Sequence, residues 1–183
     1  MTLLPGMGRL NENTVPNVKN TSFSVTARIS AATDGSTEGA IISQGGAFGG
    51  WALYTVGGKP GYAHNFLGID LYRVDADEPL SPGAHTVVMN FAYDGGGAGK
   101  GGDVTLTVDR QVVATGRVEK TVPSLFSFDD WLYVGLDPVD PVIPDYRDSD
   151  APFTGAIKDV VIDVAPNAEM DSYKRYLALL RKH

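Results

Sequence analysis

Trp51-Ala52-Leu53-Tyr54-Thr55-Val56, then Gly57-Gly58-Lys59-Pro60, then Tyr62-Ala63-His64-Asn65-Phe66 is the stretch that decides the fold. A run of aromatic, aliphatic and β-branched residues closes on a glycine–proline turn, and a second run follows at once. Residues 51–66 therefore predict a β-hairpin. The same pattern continues on both sides. Phe23, Val25, Ala27 and Ile29 alternate with Ser24, Thr26 and Arg28, the period-two signature of a half-buried strand. Downstream come Leu71 to Val74, His85 to Tyr93, Val104 to Val108, Gln111 to Ala114, Trp131 to Leu136 and Phe153 to Val164. Asp109-Arg110 separates two of these runs and predicts a two-residue turn, although Asp-Arg suits a type I′ turn less well than Asp-Gly. Ten to twelve short strands, with turn signals every 8–12 residues, predict an all-β antiparallel sandwich or barrel over residues 1–166.

One segment departs from this pattern. After Pro166, Met170, Tyr173, Leu177 and Leu180 fall on one helical stripe. Asn167 stands as an N-cap, acidic Glu169 and Asp171 sit in the first turn, and Arg181 and Lys182 close the segment, as the helix dipole prefers. A C-terminal amphipathic helix is expected over 167–182, docked on its own sandwich or on a partner.

The 183 residues amount to one domain's worth of chain, with 43% hydrophobic and 20% charged residues. There is no cysteine, which excludes a disulfide framework, a Cys-based zinc site, an iron–sulfur cluster and a Cys nucleophile. A formal net charge of −7 argues against nonspecific binding to nucleic acid or to an anionic membrane. The first residues lack the basic and apolar regions of a signal peptide, and no apolar run is long enough to span a bilayer. A cytoplasmic setting is the expectation. Asn20-Thr21-Ser22 matches the glycosylation pattern, but so short a motif recurs by chance.

Several stretches invite a functional reading. Asp94-Gly95-Gly96-Gly97-Ala98-Gly99-Lys100-Gly101-Gly102 superficially resembles a phosphate-binding loop. That loop needs Gly where Asp94 stands and Ser or Thr where Gly101 stands, and it must open a helix. A hairpin loop is the plainer reading, with Asp94 and Lys100 as polar candidates. Residues 129–150 hold seven aspartates opposed by Arg147 alone. Hard cations require converging carboxylates, so Asp137, Asp140 and Asp145 are calcium candidates, although the run lacks a dedicated calcium-loop spacing. A solvated acidic loop is the alternative. Calcium is the only cofactor the residues suggest. Gln44 to Trp51 places four glycines around Phe48, and His64 and Asn65 lie near aromatics that could stack on a sugar. Phe48, Trp51, His64, Asn65 and Phe66 are thus candidate ligand or partner contacts, with burial in the core as the competing role.

Support for catalysis is thin. There are three histidines and no Gly-x-Ser-x-Gly elbow. The nearest carboxylate set, Asp75, Asp77 and Glu78, ends in a proline turn, a poor platform for glycoside hydrolysis.

Taken together, several strings resemble the carboxy-terminal region of large bacterial arylsulfatases. They are Pro5-Gly6-Met7-Gly8-Arg9-Leu10, Pro16-Asn17-Val18-Lys19-Asn20, Gln44-Gly45-Gly46 with Phe48-Gly49-Gly50-Trp51-Ala52-Leu53-Tyr54, Asn65-Phe66-Leu67-Gly68, Phe91 to Gly97 with Gly99 to Gly102, and Phe153-Thr154-Gly155-Ala156-Ile157. The resemblance runs over roughly residues 3–164 and implies a concanavalin/laminin-G-like jelly-roll sandwich. It does not carry catalysis. Sulfatases of that kind use Cys-x-Pro-x-Arg or Ser-x-Pro-x-Arg, and neither pattern occurs here. The resemblance therefore implies a noncatalytic domain that packs on a sulfatase catalytic domain or shapes its entrance. The alternatives are a stand-alone lectin-like module that binds a glycan on its concave face and, for the helix, a homo-oligomer.

Overall fold

A computed structural model of the protein describes residues 1–127 and 131–166. The expected C-terminal helix, with Asp129 and Asp130, lies outside the described residues. Eleven strands run β1 (Thr2–Leu3), β2 (Phe23–Ala31), β3 (Gly39–Gly46), β4 (Gly49–Val56), β5 (Lys59–Phe66), β6 (Asp70–Asp75), β7 (Gly83–Tyr93), β8 (Gly102–Val108), β9 (Gln111–Val118), β10 (Leu132–Val134) and β11 (Ala156–Val164). They form two antiparallel sheets. One has six strands in the order β1-β11-β2-β7-β8-β9, and the other has five in the order β10-β3-β4-β5-β6.

Alternation along β2 explains the packing. Phe23, Val25, Ala27, Ile29 and Ala31 are buried, while the residues between them face outward. Strand β7 adds Val87, Met89 and Phe91, and β8 adds Val104 and Leu106. The five-stranded sheet answers with Ile42, Trp51, Leu53 and Tyr62. Phe23 meets Trp51 at 5.8 Å between ring centroids and Phe91 at 5.5 Å, within the range where tilted aromatic pairs attract. The core lies between the sheets.

The hairpin read from residues 51–66 is β4–β5. Its turn is two residues shorter than the sequence suggests: Val56 pairs with Lys59, and only Gly57 and Gly58 are central, at φ +60° and +74°. Both values are left-handed, as a type I′ turn requires. Pro60 therefore lies inside β5, opposite Thr55. Asp109 and Arg110 adopt the same left-handed pair at φ 50° and 72° despite carrying side chains.

Strand β3 is absent from the sequence reading. Gly39-Ala40-Ile41-Ile42-Ser43-Gln44-Gly45-Gly46 shows no alternation because every one of its residues is buried. The cause is a second layer on the far side of the five-stranded sheet. Val142 and Ile143 pack there against Ala52, Tyr54 and Ala63. Tyr146 meets Tyr54 edge to face at 6.1 Å. Residues 137–152 form a strap laid over the sheet: Asp145, Asp148 and Asp150 are exposed as a solvated acidic loop would have them, while Asp137, Val142 and Ile143 are buried. Buried Val142 and Ile143 drive the contact, and polar anchors fix its path. Ala40 N donates to Ala151 O at 2.9 Å, Ala47 N to Asp140 O at 3.1 Å, and Ser43 Oγ to Leu136 O at 2.8 Å.

Candidate functional site

The structure separates the candidate contacts into core and surface. Trp51 is fully buried, and its indole Nε1 donates to Gln44 Oε1 at 3.0 Å. His64, 4% exposed, sits across the hairpin from Trp51. Its Nε2 accepts the Val122 N–H at 3.3 Å, and its ring lies 6.2 Å from that of Phe126. Burial pulls its pKa down to about 4, so the ring is neutral at physiological pH. Around it lies a small internal space lined also by Phe23, Tyr62, Phe91 and Lys19. Lys19 pairs with Glu12 beneath the Phe126 ring, and burial lowers its ammonium pKa to about 8. Neither Trp51 nor His64 reaches the surface, so a ligand could touch them only if the sandwich opened.

Asn65 is also buried, and it organises the pole of the sandwich. Its Nδ2 donates to Val142 O at 3.2 Å and its Oδ1 accepts from Gly68 N at 2.9 Å. One side chain thus ties the strap to the β5–β6 turn. Phe66 is half-buried against the core, with Lys120 Nζ 5.9 Å from its centroid. Asp94 is held by Arg117, which also binds Asp103 and Glu119. Lys100 is exposed, while its backbone N donates to Tyr93 Oη at 2.9 Å. The glycine-rich loop is pinned rather than loose in its second half: Gly99 N donates to Asn20 Oδ1 at 2.8 Å, and Thr121 Oγ1 donates to Lys100 O at 2.7 Å.

The calcium candidates do not converge. Asp137 is buried and accepts the Val142 N–H at 2.9 Å, while Asp145 accepts from Arg73 Nη1 at 2.6 Å. Burial, with the Asp137 carboxylate beside it, pushes the Tyr146 hydroxyl pKa up. Among the described residues no three His, Asp or Glu side chains gather as a metal cluster.

Ser81, His85 and Asp109 form a line that resembles a hydrolase relay and went unread in the sequence. His85 Nδ1 lies 2.7 Å from Asp109 Oδ2, and Nε2 lies 3.3 Å from Ser81 Oγ. Nε2 is, however, only 2.7 Å from the Ser81 carbonyl oxygen. A carbonyl can only accept, so Nε2 carries a proton and has no lone pair for the hydroxyl. Burial lowers the His85 pKa, but the bonds to Asp109 and Ser81 outweigh it and leave the pKa raised. The line is an imidazolium clamp between two acceptors, unsuited to activating a nucleophile.

Phe48 is the exposed member of the aromatic set, at 73%. It has company: Leu67, Ile69, Leu71 and Val139 are also exposed, Ile69 at 73% and Val139 at 88%. Three loops bring them to one pole. The Phe48 ring borders Gly68, where a Cβ would lie 3.3 Å from Cδ1. Asp140, next to Val139, holds Ala47 through the backbone bond given above. Leu67 and Val139 stand at φ 57° and 74°, conformations costly for side chains of this bulk. Strained backbone thus displays apolar groups to solvent. Sequence reasoning found Phe48 by its glycine setting. It placed Leu67 only within a candidate stretch and missed Ile69, Leu71 and Val139, which join Phe48 through tertiary contacts.

No protein-family model matches this sequence, and no curated protein does. Solved structures match in shape. The NanB sialidase from Streptococcus pneumoniae is 12% identical, with 93% of this chain and 28% of that chain covered, at a TM-score of 0.57. Mouse laminin alpha1 chain, domains LG4-5, is 19% identical over 90% of this chain and 38% of that chain, at 0.48. A heptameric SAP-like pentraxin from Limulus polyphemus is 12% identical over 90% and 76%, at 0.49. This chain therefore spans well under half the length of the laminin and sialidase chains it matches. With the two-sheet topology, the likeness places the fold among laminin G-like and concanavalin-like sandwiches. At these identities it shows the fold alone.

Proposed function

We propose that this chain is a noncatalytic sandwich module that packs through its apolar pole on the catalytic domain of a sulfatase-type enzyme. The observation that carries this reading is the cluster of Phe48, Leu67, Ile69, Leu71 and Val139, exposed together at one pole. Large apolar side chains exposed together at one pole mark an interaction surface. Phe48 and Leu67 belong to strings that resemble the arylsulfatase carboxy-terminal region, so the resemblance and the patch fall at one place. The strap supports the same reading, because it carries Val139 to this pole and ties it to the Phe48 turn through Ala47 N and Asp140 O. Among the described residues, the relay-like line of Ser81, His85 and Asp109 is a clamp between two acceptors, which favours a noncatalytic reading.

The test reads the coding sequences beside this one for a sulfatase-type domain, mixes its product with the purified chain and measures association by light scattering; the absence of such a neighbour overturns the reading. A 1:1 complex is expected, lost in the Phe48→Ser/Ile69→Ser double variant, whose melting temperature should match wild type because both side chains are exposed. Association that survives the double variant, or no association at all, overturns the reading. Turnover of a chromogenic sulfate ester by the chain alone would do the same.

A further inference from the structure

A groove lies at the opposite pole, on the outer face of the six-stranded sheet. It has a volume of about 440 Å³ and is lined by Arg28, Ser30, Thr86, His85, Asp109 and Lys158, over a floor that includes Ala84 and Ala156. Local backbone features build it. Strand register breaks between Ile157 and Asp159 opposite β2, and this bulge turns Lys158 outward beside the groove. The left-handed Asp109-Arg110 turn brings the Asp109 carboxylate onto Thr86 N at 2.8 Å and onto His85.

The charge pattern is unusual for a chain of net charge −7. Arg28 and Lys158 gather here, and Arg110 is close enough to help lower the Asp109 pKa, which the Thr86 N–H lowers most. Asp159 fixes Arg28 by two bonds, Nε to Oδ1 at 2.7 Å and Nη2 to Oδ2, so the guanidinium is pre-set and its Nη1 is left over. No hydrogen bond or ion pair among the described residues holds the exposed Lys158 ammonium.

The geometry points to a binding site for a sugar that carries one anionic group, a carboxylate or a sulfate. Lys158 takes the anion as a point charge. Arg28 Nη1, Ser30 Oγ and Thr86 Oγ1 donate to the ring oxygens, the Asp109 carboxylate accepts from a ring hydroxyl, and the exposed Ala84 and Ala156, which pair with Ser30 on the outer face, receive a C–H face. The mixture of cations and a carboxylate selects this class. A bare phosphate or a polyanion would meet the Asp109 carboxylate and be repelled, whereas a polyol with one charge uses donors and acceptors alike. The site is independent of the docking pole.

The experiment is an amide-shift NMR titration of the full chain with methyl glucuronide, with a 6-sulfated N-acetylglucosamine, with neutral methyl glucoside and with inorganic sulfate, each up to about 20 mM. The uronate or the sulfated sugar should shift the amides of Ala84, Thr86 and Lys158 with millimolar affinity, and the stronger of the two identifies the anion. The neutral sugar and inorganic sulfate should bind at least about tenfold more weakly. Lys158→Glu should weaken the anionic sugar about tenfold at unchanged melting temperature, and Thr86→Val should weaken it independently of charge. The proposal is overturned by the absence of shifts at those amides, by inorganic sulfate binding as well as the sugar, or by full affinity in Lys158→Glu.

Discussion

His64 shows how one side chain can look functional in sequence and be structural in space. It lies beside aromatics because it is part of their core, and its Nε2 lone pair holds the Val122 N–H. Its folded pKa of about 4 lies below the ordinary 6.5. The native state therefore favours the neutral ring, and the unfolded chain takes up the proton first as pH falls. This contribution to stability is complete above pH 6.5 and is lost between about 6.5 and 4, by about 3 kcal/mol. His85 has the opposite sign: its raised pKa adds stability at low pH that fades as pH rises through the folded value. The two are separated by substitution. In urea melts at pH 7 and pH 4.5, His64→Gln, which keeps an acceptor for Val122, should lose markedly less stability on acidification than wild type. An equal loss in both would show that His64 does not set the acid limb.

Among the elements, the strap 137–152 has the largest consequence. It gives β3, β4 and β5 a second buried face, which is why these strands lack alternation. Ile143 is its fully buried anchor. Ile143→Ala removes that packing and should cost about 2–5 kcal/mol. The loss should appear first as protease cleavage within 138–150, before global unfolding, because the strap lies on the sheet while the main core lies beneath it. Cleavage only at the global midpoint would show instead that strap and sandwich open together. The strap also carries Val139 and Asp140 to the apolar pole, so the same element covers the sheet and helps build the proposed docking surface.

Taken whole, the molecule has two poles joined by the two antiparallel sheets. Apolar groups crowd the pole where β2 begins and β7 ends, and cations crowd the pole where β2 ends and β7 begins. The two surfaces share no side chain, so their energetics should add. The triple variant Phe48→Ser/Ile69→Ser/Lys158→Glu should lose partner association as the double does and sugar affinity as Lys158→Glu does, with neither defect deepened. A cross-effect above about threefold, measured by light scattering and NMR titration, would reveal coupling through the sheets.

The amino-acid sequence by itself determined the all-β class, the β4–β5 hairpin and the alternating strands that face the core. These are local properties: a period of two and a glycine pair in a turn are written in adjacent residues. It also excluded the cysteine-dependent chemistries, which composition alone decides. Tertiary structure decided everything that depends on distant segments meeting. It made Trp51 and His64 core, turned an acidic run into a strap through Val142 and Ile143, revealed β3 in a stretch with no alternation, and set His85 between two acceptors. It also assembled Phe48 with Ile69 and Val139, and Arg28 with Thr86 and Lys158. No sequence period encodes such pairs, because their members are brought together by sheet register and loop packing over separations of 20 residues to more than 100.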